Sequence, residues 1–134
     1  MKLICGQKGS GKTEKLVNRA HAHCAVCKGV LVYLDKSNHR MHVLDRKIRL
    51  VDMSEYKIKT VEQFIAFAKG MLALNYDIEH VYCDELFSVL RLTVDDCQAL
   101  VDGIEKLEKD FSIEFTIAVT ADKLPENLVQ YEIA

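Results

Sequence analysis

The chain has 134 residues, a formal net charge of -2, and a composition that is 49% hydrophobic and 28% charged. This length allows one hydrophobic core but not two ordinary domains, so we expect residues 1–134 to form a single domain. The composition excludes an intrinsically disordered chain, and the small negative charge provides no global attraction to nucleic acid or to anionic membranes.

The N-terminal segment does not have the pattern of a secretory signal. Its apolar run, residues 3–5, ends at Gly6, and no apolar run elsewhere approaches the ~20 residues of a membrane helix. The cysteines are odd in number and lie mostly within apolar periodic segments, as is typical of reduced thiols in a reducing compartment. We therefore expect a cytoplasmic protein with no membrane partner and no indicated nucleic-acid partner.

Short apolar runs alternate with longer periodic segments along the first half of the chain. The pattern predicts a strand at residues 2–5, a loop at 6–11, a helix at 12–27 and a second strand at 30–34. Residues 41–44 and 47–51 then flank an Asp-Arg pair. This pattern is compatible with a short hairpin, although Asp-Arg is a weak turn signal.

The second half repeats the alternation. It predicts helices at residues 60–74 and 93–109, core strands at 80–83 and 115–119, and an edge strand at 129–133. Thr93 and Asp96 are spaced as a helix-capping pair. Strands separated by helices of this length imply right-handed crossovers and an α/β fold. We expect three α/β/α layers around a mainly parallel sheet of about five strands.

The loop after the first strand matches the pattern G-x-x-x-x-G-K-T in full. Its glycines permit tight bends, its backbone N–H groups form a concavity for phosphate, and the following helix presents its positive end. The lysine adds a full charge for the β and γ phosphates, and the threonine hydroxyl is suited to bind magnesium. The predicted nucleotide-binding residues of this loop are Gly6, Gln7, Lys8, Gly9, Ser10, Gly11, Lys12 and Thr13.

A second acidic element follows the strand predicted at residues 80–83. Asp84 and Glu85 stand at its end, as in a Walker B element. Asp84 is the candidate for holding magnesium together with Thr13, and Glu85 is the candidate general base that polarises an attacking water. The alternative is that Asp84 merely caps a short helix beginning at Glu85.

Together these two elements resemble the P-loop NTPase superfamily. The resemblance is to the branch that has an additional strand between the P-loop and Walker B strands and a glutamate after the Walker B aspartate. RecA-like ATPases and type II thymidine kinases belong to this branch. The resemblance implies that the strand at residues 115–119 lies between the Walker B and P-loop strands, which would place Thr120 beside the γ-phosphate. It also implies ATP or another NTP, with Mg²⁺, as the cofactors.

The order of elements looks somewhat like that of thymidine kinase, but the match is incomplete. That family carries a zinc-bound lasso with two cysteine pairs, whereas this chain has the single pair Cys24 and Cys27. The resemblance to thymidine kinase therefore covers the core topology but does not extend to the nucleoside site. The loop at residues 36–45 is the one obvious place for a second substrate pocket.

Several other residues have alternative interpretations. His21, His23, Cys24 and Cys27 are either metal donors or a packed cysteine pair with exposed histidines. Asp35, at the end of the second strand, either assists a nucleophile or is a polar strand end. Nothing distinguishes Arg91 from an ordinary surface arginine, so an arginine finger would come from a protein partner or a second copy of the chain.

We expect a magnesium-dependent nucleoside triphosphate hydrolase that uses Lys12 and Glu85 as its catalytic residues. Two alternatives remain open. One is a small phosphotransferase resembling thymidine kinase, and the other is a non-catalytic, nucleotide-responsive subunit. The base of the nucleotide is not encoded by the phosphate loop, so ATP is an expectation from the superfamily.

Overall fold

The computed structural model describes all residues from Met1 to Ala134. Six strands and four α-helices alternate along the chain, and short 3-10 helices cover Met53–Tyr56 and Val129–Tyr131. In chain order the elements are β1 (Lys2–Gly6), α1 (Lys12–Cys24), β2 (Val30–Asp35), β3 (Ile48–Asp52), α2 (Val61–Leu74), β4 (Ile78–Cys83), α3 (Leu86–Leu90), α4 (Gln98–Phe111), β5 (Glu114–Thr120) and β6 (Glu132–Ile133).

The strands form one sheet in the order β3-β2-β4-β5-β1-β6, and every neighbouring pair is parallel. The predicted α/β class and mainly parallel sheet are therefore confirmed, with six strands instead of about five. The strand after β4 lies between β4 and β1, which is the position expected for residues 115–119. Because all strands point the same way, their carboxyl ends meet at one edge, where the loops after β1, β2, β4 and β5 converge.

Both faces of the sheet are covered. On one face, Leu16 and Ala20 of α1 pack against the strand residues Ile4, Tyr33 and Ala118. The other face buries the larger core, to which α2, α3 and α4 contribute apolar residues at helical spacing, among them Phe64, Leu86 and Ile104. Helices on both faces are consistent with a three-layer α/β/α arrangement, and they explain why β2 and β4 are buried along most of their length.

The hairpin suggested at residues 41–51 is wrong. Residues 41–44 form consecutive turns, in which the amides of Met41 and Val43 donate to carbonyls three residues earlier. β3 instead pairs in parallel with β2, with Ile48 opposite Leu31. The Asp-Arg pair does not form the tight two-residue turn that a hairpin needs. The direction of the chain here is set instead by the burial of Leu44 and Ile48 beneath α1.

The predicted helix ends also need correction. α1 ends at Cys24 because the amides of Val26 and Cys27 both turn back to the carbonyl of His23. α4 begins at Gln98, since the amide of Asp96 donates to the Thr93 carbonyl in a separate turn, so Thr93 and Asp96 do not cap the helix. The edge strand predicted at residues 129–133 is reduced to the two residues of β6. No helix combines the length and apolar character needed to cross a membrane.

His80 is a histidine buried in the interior of the sheet. It is 7% exposed, its ring stacks on that of Tyr82 at a centroid separation of 4.3 Å, and its Nε2 is 2.7 Å from the Thr116 hydroxyl. Burial, helped by nearby cations, lowers the pKa of His80 to about 4. The neutral ring is therefore the form that the fold accommodates.

The buried imidazole predicts a loss of stability in mild acid. An unfolded histidine has a pKa of about 6.5, so between about pH 6.5 and 4 the unfolded chain binds more protons than the folded chain. Stability should fall as the pH drops through this window, by about 2 kcal/mol at pH near 5 from this residue alone. Urea denaturation at several pH values measures the effect.

The matched controls for this prediction are His80→Gln and His42→Gln. Glutamine cannot titrate, so His80→Gln should flatten the pH dependence, whereas His42→Gln, at an exposed position, keeps the buried His80 and should keep the pH dependence. A pH dependence that is the same in His80→Gln as in the wild type would contradict the assignment.

Candidate functional site

The loop between β1 and α1 is shaped by its glycines. Gly9 and Gly11 have φ values of 82° and 89°, in the left-handed region that other residues adopt only with strain. Between them, the amide of Ser10 donates to the Gln7 carbonyl at 3.0 Å and closes a turn. A Cβ on Gly6 would collide with the Ser10 hydroxyl. The loop therefore favours glycine at positions 9 and 11 for their backbone conformation, and at position 6 for its close approach to Ser10.

The N-terminus of α1 opens directly from this loop. Gly11 is the N-cap residue and offers no side chain to the first amides of the helix. These amides have no carbonyl partner within the helix, so they and the positive end of the helix dipole are available to an anion. The Lys12 ammonium donates to the Gln7 carbonyl at 3.2 Å, which holds its charge beside the same concavity.

Thr13 and Asp84 join the loop to the end of β4. The Thr13 hydroxyl donates to Asp84 Oδ2 at 2.8 Å, and the Tyr33 hydroxyl donates to the same oxygen at 3.2 Å. Asp84 is 2% exposed, and its amide donates to the Leu34 carbonyl. Burial, and next the charge of Asp84, raise the pKa of Tyr33, so its hydroxyl remains a donor at neutral pH. The two residues predicted as magnesium ligands, Thr13 and Asp84, therefore lie in direct contact.

Asp84 is not the cap of α3. Glu85 occupies the N-cap position, with φ of 61°, and makes no side-chain capping bond. The left-handed conformation at Glu85 costs about 1–3 kcal/mol, which the surrounding structure must offset. Glu85 Oε2 lies 3.8 Å from the Lys36 ammonium, and the Glu85 side chain is 33% exposed.

A second buried carboxylate, Asp35, lies at the end of β2. It is fully buried, accepts from the Lys36 amide at 2.7 Å, and forms an ion pair with the Arg40 guanidinium at 2.7 Å. Burial raises the pKa of Asp35 despite the opposing effect of Arg40. Burial alone would lower the pKa of Arg40, but Asp35 and then Asp84 raise it above the ordinary value. Arg40 thus remains charged within reach of the Thr13–Asp84 pair.

These elements enclose an open cleft of about 800 Å³ at the carboxyl edge of the sheet. A smaller cavity of about 140 Å³ adjoins it between Asp84, Glu85 and Thr120. Most of the residues that line the cleft are polar or charged, and they bring the loop between β1 and α1 together with the loop after β2 and the start of α3. The lining residues are Lys8, Gly9, Gly11, Lys12, Thr13, Glu14, Val17, Lys36, Arg40, Val43, Glu85, Ser88 and Thr120.

The remaining predicted residues of the loop lie at its rim. Gln7, Lys8 and Ser10 are exposed. The Gln7 amide group donates to Asp122 Oδ1 at 2.5 Å, which ties the loop to the segment after β5. Thr120 is exposed at the end of β5, in register with Gly6, and lines both cavities. The structure thus brings the residues predicted from the sequence to one edge, around one cleft.

The donors are suited to a hard cation and a phosphate chain. A hydroxyl and a carboxylate from Thr13 and Asp84 are oxygen ligands of the kind that Mg²⁺ prefers, and Mg²⁺ usually keeps several waters beside one or two protein ligands. Glycine-shaped backbone amides and the Lys12 charge are suited to phosphate oxygens. These residues could therefore hold both groups.

The histidine and cysteine residues of α1 are placed differently. His21 Nε2 accepts from the Asp45 amide, and His23 Nδ1 lies 2.9 Å from the Tyr82 hydroxyl. The Cys27 thiol donates to the carbonyls of Cys24 and Gly29. No three His, Cys, Asp or Glu side chains of the structure come together to hold a metal ion. The hydrogen bonds account for these residues as supports of α1 and its neighbouring loops.

Two side chains of the site were not predicted from the sequence. Tyr33 was included only in a buried strand, and Arg40 only in the loop suggested for a second substrate, yet Tyr33 contacts Asp84 and Arg40 contacts Asp35. The one signal for Arg40 in the sequence was Asp35 at the end of a buried strand, since a buried carboxylate requires a cation or hydrogen-bond donors as partners. Arg91, by contrast, is exposed at the end of α3 and does not line the cleft.

Comparison of the chain with protein-family models finds no match. Comparison with curated proteins finds no significant match.

The left-handed glycine of the loop gives a prediction about stability. Gly11→Ala should reduce the free energy of unfolding by about 1–2 kcal/mol, because a Cβ is unfavourable at its positive φ even though no neighbouring atom obstructs it. Gly70→Ala is the matched control. Gly70 lies exposed within α2 with open space around it, so alanine there should stabilise the protein by about 0.5–1 kcal/mol.

Urea denaturation of both variants measures this contrast. Opposite signs are expected for the two substitutions. An equal, stabilising effect of alanine at both positions would show that the loop does not require the left-handed conformation at Gly11.

Proposed function

We propose that the chain is a P-loop nucleoside-triphosphate-binding domain of three-layer α/β/α fold that hydrolyses ATP or a related NTP with Mg²⁺. The observation that carries the proposal is the hydrogen bond between Thr13 and Asp84. It joins a glycine-shaped anion loop to an acidic strand end, and neither element alone would favour a metal-bound triphosphate over any other anion.

Binding of the phosphate chain rests on the loop and the start of α1. The backbone amides of residues 9–13 would donate to the β-phosphate oxygens, and Lys12 would exchange its bond to the Gln7 carbonyl for the β and γ phosphates. Thr13 and Asp84 would hold Mg²⁺, directly or through water. When bound, the metal neutralises charge on the phosphate oxygens and orients them.

The reaction rests on the small cavity beside Glu85. A water there would attack the γ-phosphorus, and Glu85 would accept its proton as the bond from phosphorus to the bridging oxygen breaks. The products are the diphosphate and inorganic phosphate. The Lys36 ammonium at 3.8 Å and the left-handed backbone of Glu85 fix the approximate direction of its carboxylate.

A phosphotransferase is the second candidate. The main cleft extends beyond the phosphate loop to Val17, Val43 and Arg40, which leaves room for an acceptor with an apolar part. In that case a hydroxyl of the acceptor would take the place of water. A non-catalytic nucleotide-responsive subunit would use the same binding residues without turnover. Phosphate release from ATP alone, compared with transfer to a panel of nucleosides, separates the three.

Binding through the phosphate loop predicts a specific loss in Lys12→Ala. This variant should bind Mg·ATP at least about tenfold more weakly while its free energy of unfolding changes little, because the Lys12 side chain supports no core contact. Calorimetric titration measures the affinity, and Lys15→Ala, on the exposed surface of α1, is the control that should bind normally. Unchanged affinity in Lys12→Ala would refute the phosphate-loop assignment.

The roles of Asp84 and Glu85 predict different defects. Glu85→Gln should keep magnesium-dependent nucleotide binding but lose most hydrolysis, because the amide retains the shape of the side chain and cannot accept the proton. Asp84→Asn should impair magnesium-dependent binding as well as turnover. Single-turnover assays with excess protein over labelled ATP measure the chemical step even when turnover is slow.

A merely structural Glu85 would give another pattern. Its substitution would then alter the free energy of unfolding without changing the rate per folded molecule. Equal single-turnover rates for the wild type and Glu85→Gln, both above the protein-free background, would remove the general-base role and leave the binding site standing.

A further inference from the structure

We propose that Arg40 is the arginine that contacts the terminal phosphate of the nucleotide, and that it acts within its own chain, so that no arginine from a partner is needed. This inference rests on the proposed function, since it assigns a role at the same cleft. It differs from the expectation that an arginine finger would come from a partner or a second copy.

The position of Arg40 supports this role. It is the one arginine among the residues that line the cleft, where it lies across from the phosphate loop on the segment after β2. Apart from Lys12, which is already assigned to the β and γ phosphates, the other cations of the lining are less available. Lys8 is exposed at the rim, and Lys36 is 55% exposed and engaged by Glu85 at 3.8 Å.

The anchoring of Arg40 supports it further. Its Nη1 donates to Asp35 Oδ2 at 2.7 Å, and Asp35 is fully buried at the end of β2. The guanidinium has five N–H donors, and Asp35 is its one hydrogen-bond partner in the structure. The remaining donors are free to bind, while the buried carboxylate fixes the side chain so that little of its conformational freedom remains to be lost on binding.

The same anchor couples Arg40 to the centre of the site. Asp35 and Tyr33 are two residues apart on β2, and the Tyr33 hydroxyl donates to Asp84, which accepts from Thr13. β2 thus supplies both Tyr33, which contacts the proposed metal site, and Asp35, which anchors Arg40. A phosphate chain held by Lys12 and Thr13 would have its terminal group between the loop and Arg40.

The chemistry of the γ-phosphate explains what an arginine would do there. In the reaction, water adds to the γ-phosphorus, its proton passes to Glu85, and the bond to the bridging oxygen breaks, which releases the diphosphate and phosphate. Negative charge spreads over the γ oxygens and the leaving oxygen in the transition state. A planar, permanently charged guanidinium can bind two of these oxygens at once.

The first test is binding, with ATP and ADP as the probes in the presence of Mg²⁺. Arg40→Ala should lower the affinity for ATP relative to ADP by about tenfold, because only the triphosphate reaches the guanidinium. Arg46→Ala is the matched control, since Arg46 is exposed, outside the cleft and without an ion pair. An unchanged ratio of ATP to ADP affinity in folded Arg40→Ala would overturn the proposal.

Loss of Arg40 leaves the buried Asp35 without its partner, and this destabilises the single variant for reasons unrelated to phosphate. The double variant Asp35→Asn/Arg40→Ala removes both charges and keeps the same test. It should show the same loss of preference for ATP over ADP, and Asp35→Asn alone should show a smaller one. A double variant that is folded and discriminates like the wild type would overturn the proposal.

The second test asks whether Arg40 acts within its own chain. Single-turnover hydrolysis by Arg40→Ala should be about a thousandfold slower than in the wild type, and adding Lys12→Ala protein should not restore it. The added protein retains Arg40 but lacks the lysine needed to bind nucleotide. Restored hydrolysis would show that the arginine acts between chains and would overturn the claim.

The two proposals fail in distinguishable ways. If Lys12→Ala binds ATP like the wild type, the phosphate-loop function itself is wrong. If Lys12→Ala loses binding while Arg40→Ala keeps both the preference for ATP and the hydrolysis rate, the function stands and the role of Arg40 is wrong.

Discussion

The buried carboxylate of Asp84 is the constraint on which the arrangement of the cleft depends. It is 2% exposed at the end of β4, and a charge in that position is tolerated only with hydrogen-bond donors around it. Thr13 and Tyr33 supply two of these donors. Because they belong to α1 and β2, satisfying one carboxylate fixes the phosphate-type loop and the second strand relative to the fourth.

Parallel strands make this possible. The order β2-β4-β5-β1 places the Asp84 strand two positions from the strand that leads into the loop, and β5 fills the gap between them. Thr120 ends β5 in register with Gly6, so the loop, Thr120 and Asp84 share one edge of the sheet. Sequence elements that are about seventy residues apart thereby line a single cleft.

The sequence was most informative where a residue type is required by backbone geometry or by burial on both faces. The glycines of the loop, the continuous apolar runs of β2 and β4, and the acidic pair after β4 each permit few alternatives, and all were predicted. β3 was predicted at residues 47–51 but with the wrong partner, because its parallel pairing with β2 is decided by packing beneath α1. The start of α4 was missed because a local turn at Thr93 competes with the capping pattern.

The segment after β2 was the least predictable part of the site and has the largest effect on its interpretation. The sequence of its turns has no hydrophobic periodicity. Arg40 and Asp35, which form an ion pair, are five residues apart and belong to no known sequence motif. Yet this segment supplies Lys36, Arg40 and Val43 to the lining of the cleft. In the proposed function, this segment therefore decides whether the cleft accepts water or a larger acceptor opposite the loop between β1 and α1.

Amide NMR spectra of the protein titrated with ATP, with and without Mg²⁺, are the sharpest test of the proposed nucleotide site, because they report where the ligand binds. Binding in this cleft should give saturable shifts in the presence of Mg²⁺ that are largest for Gly9, Gly11, Lys12 and Thr13, with further shifts at Asp84 and Thr120. Removing Mg²⁺ should weaken the binding and abolish the shift at Asp84. Shifts confined to other surfaces, or no saturable shift at millimolar ATP, would contradict the assignment of this cleft as a nucleotide site.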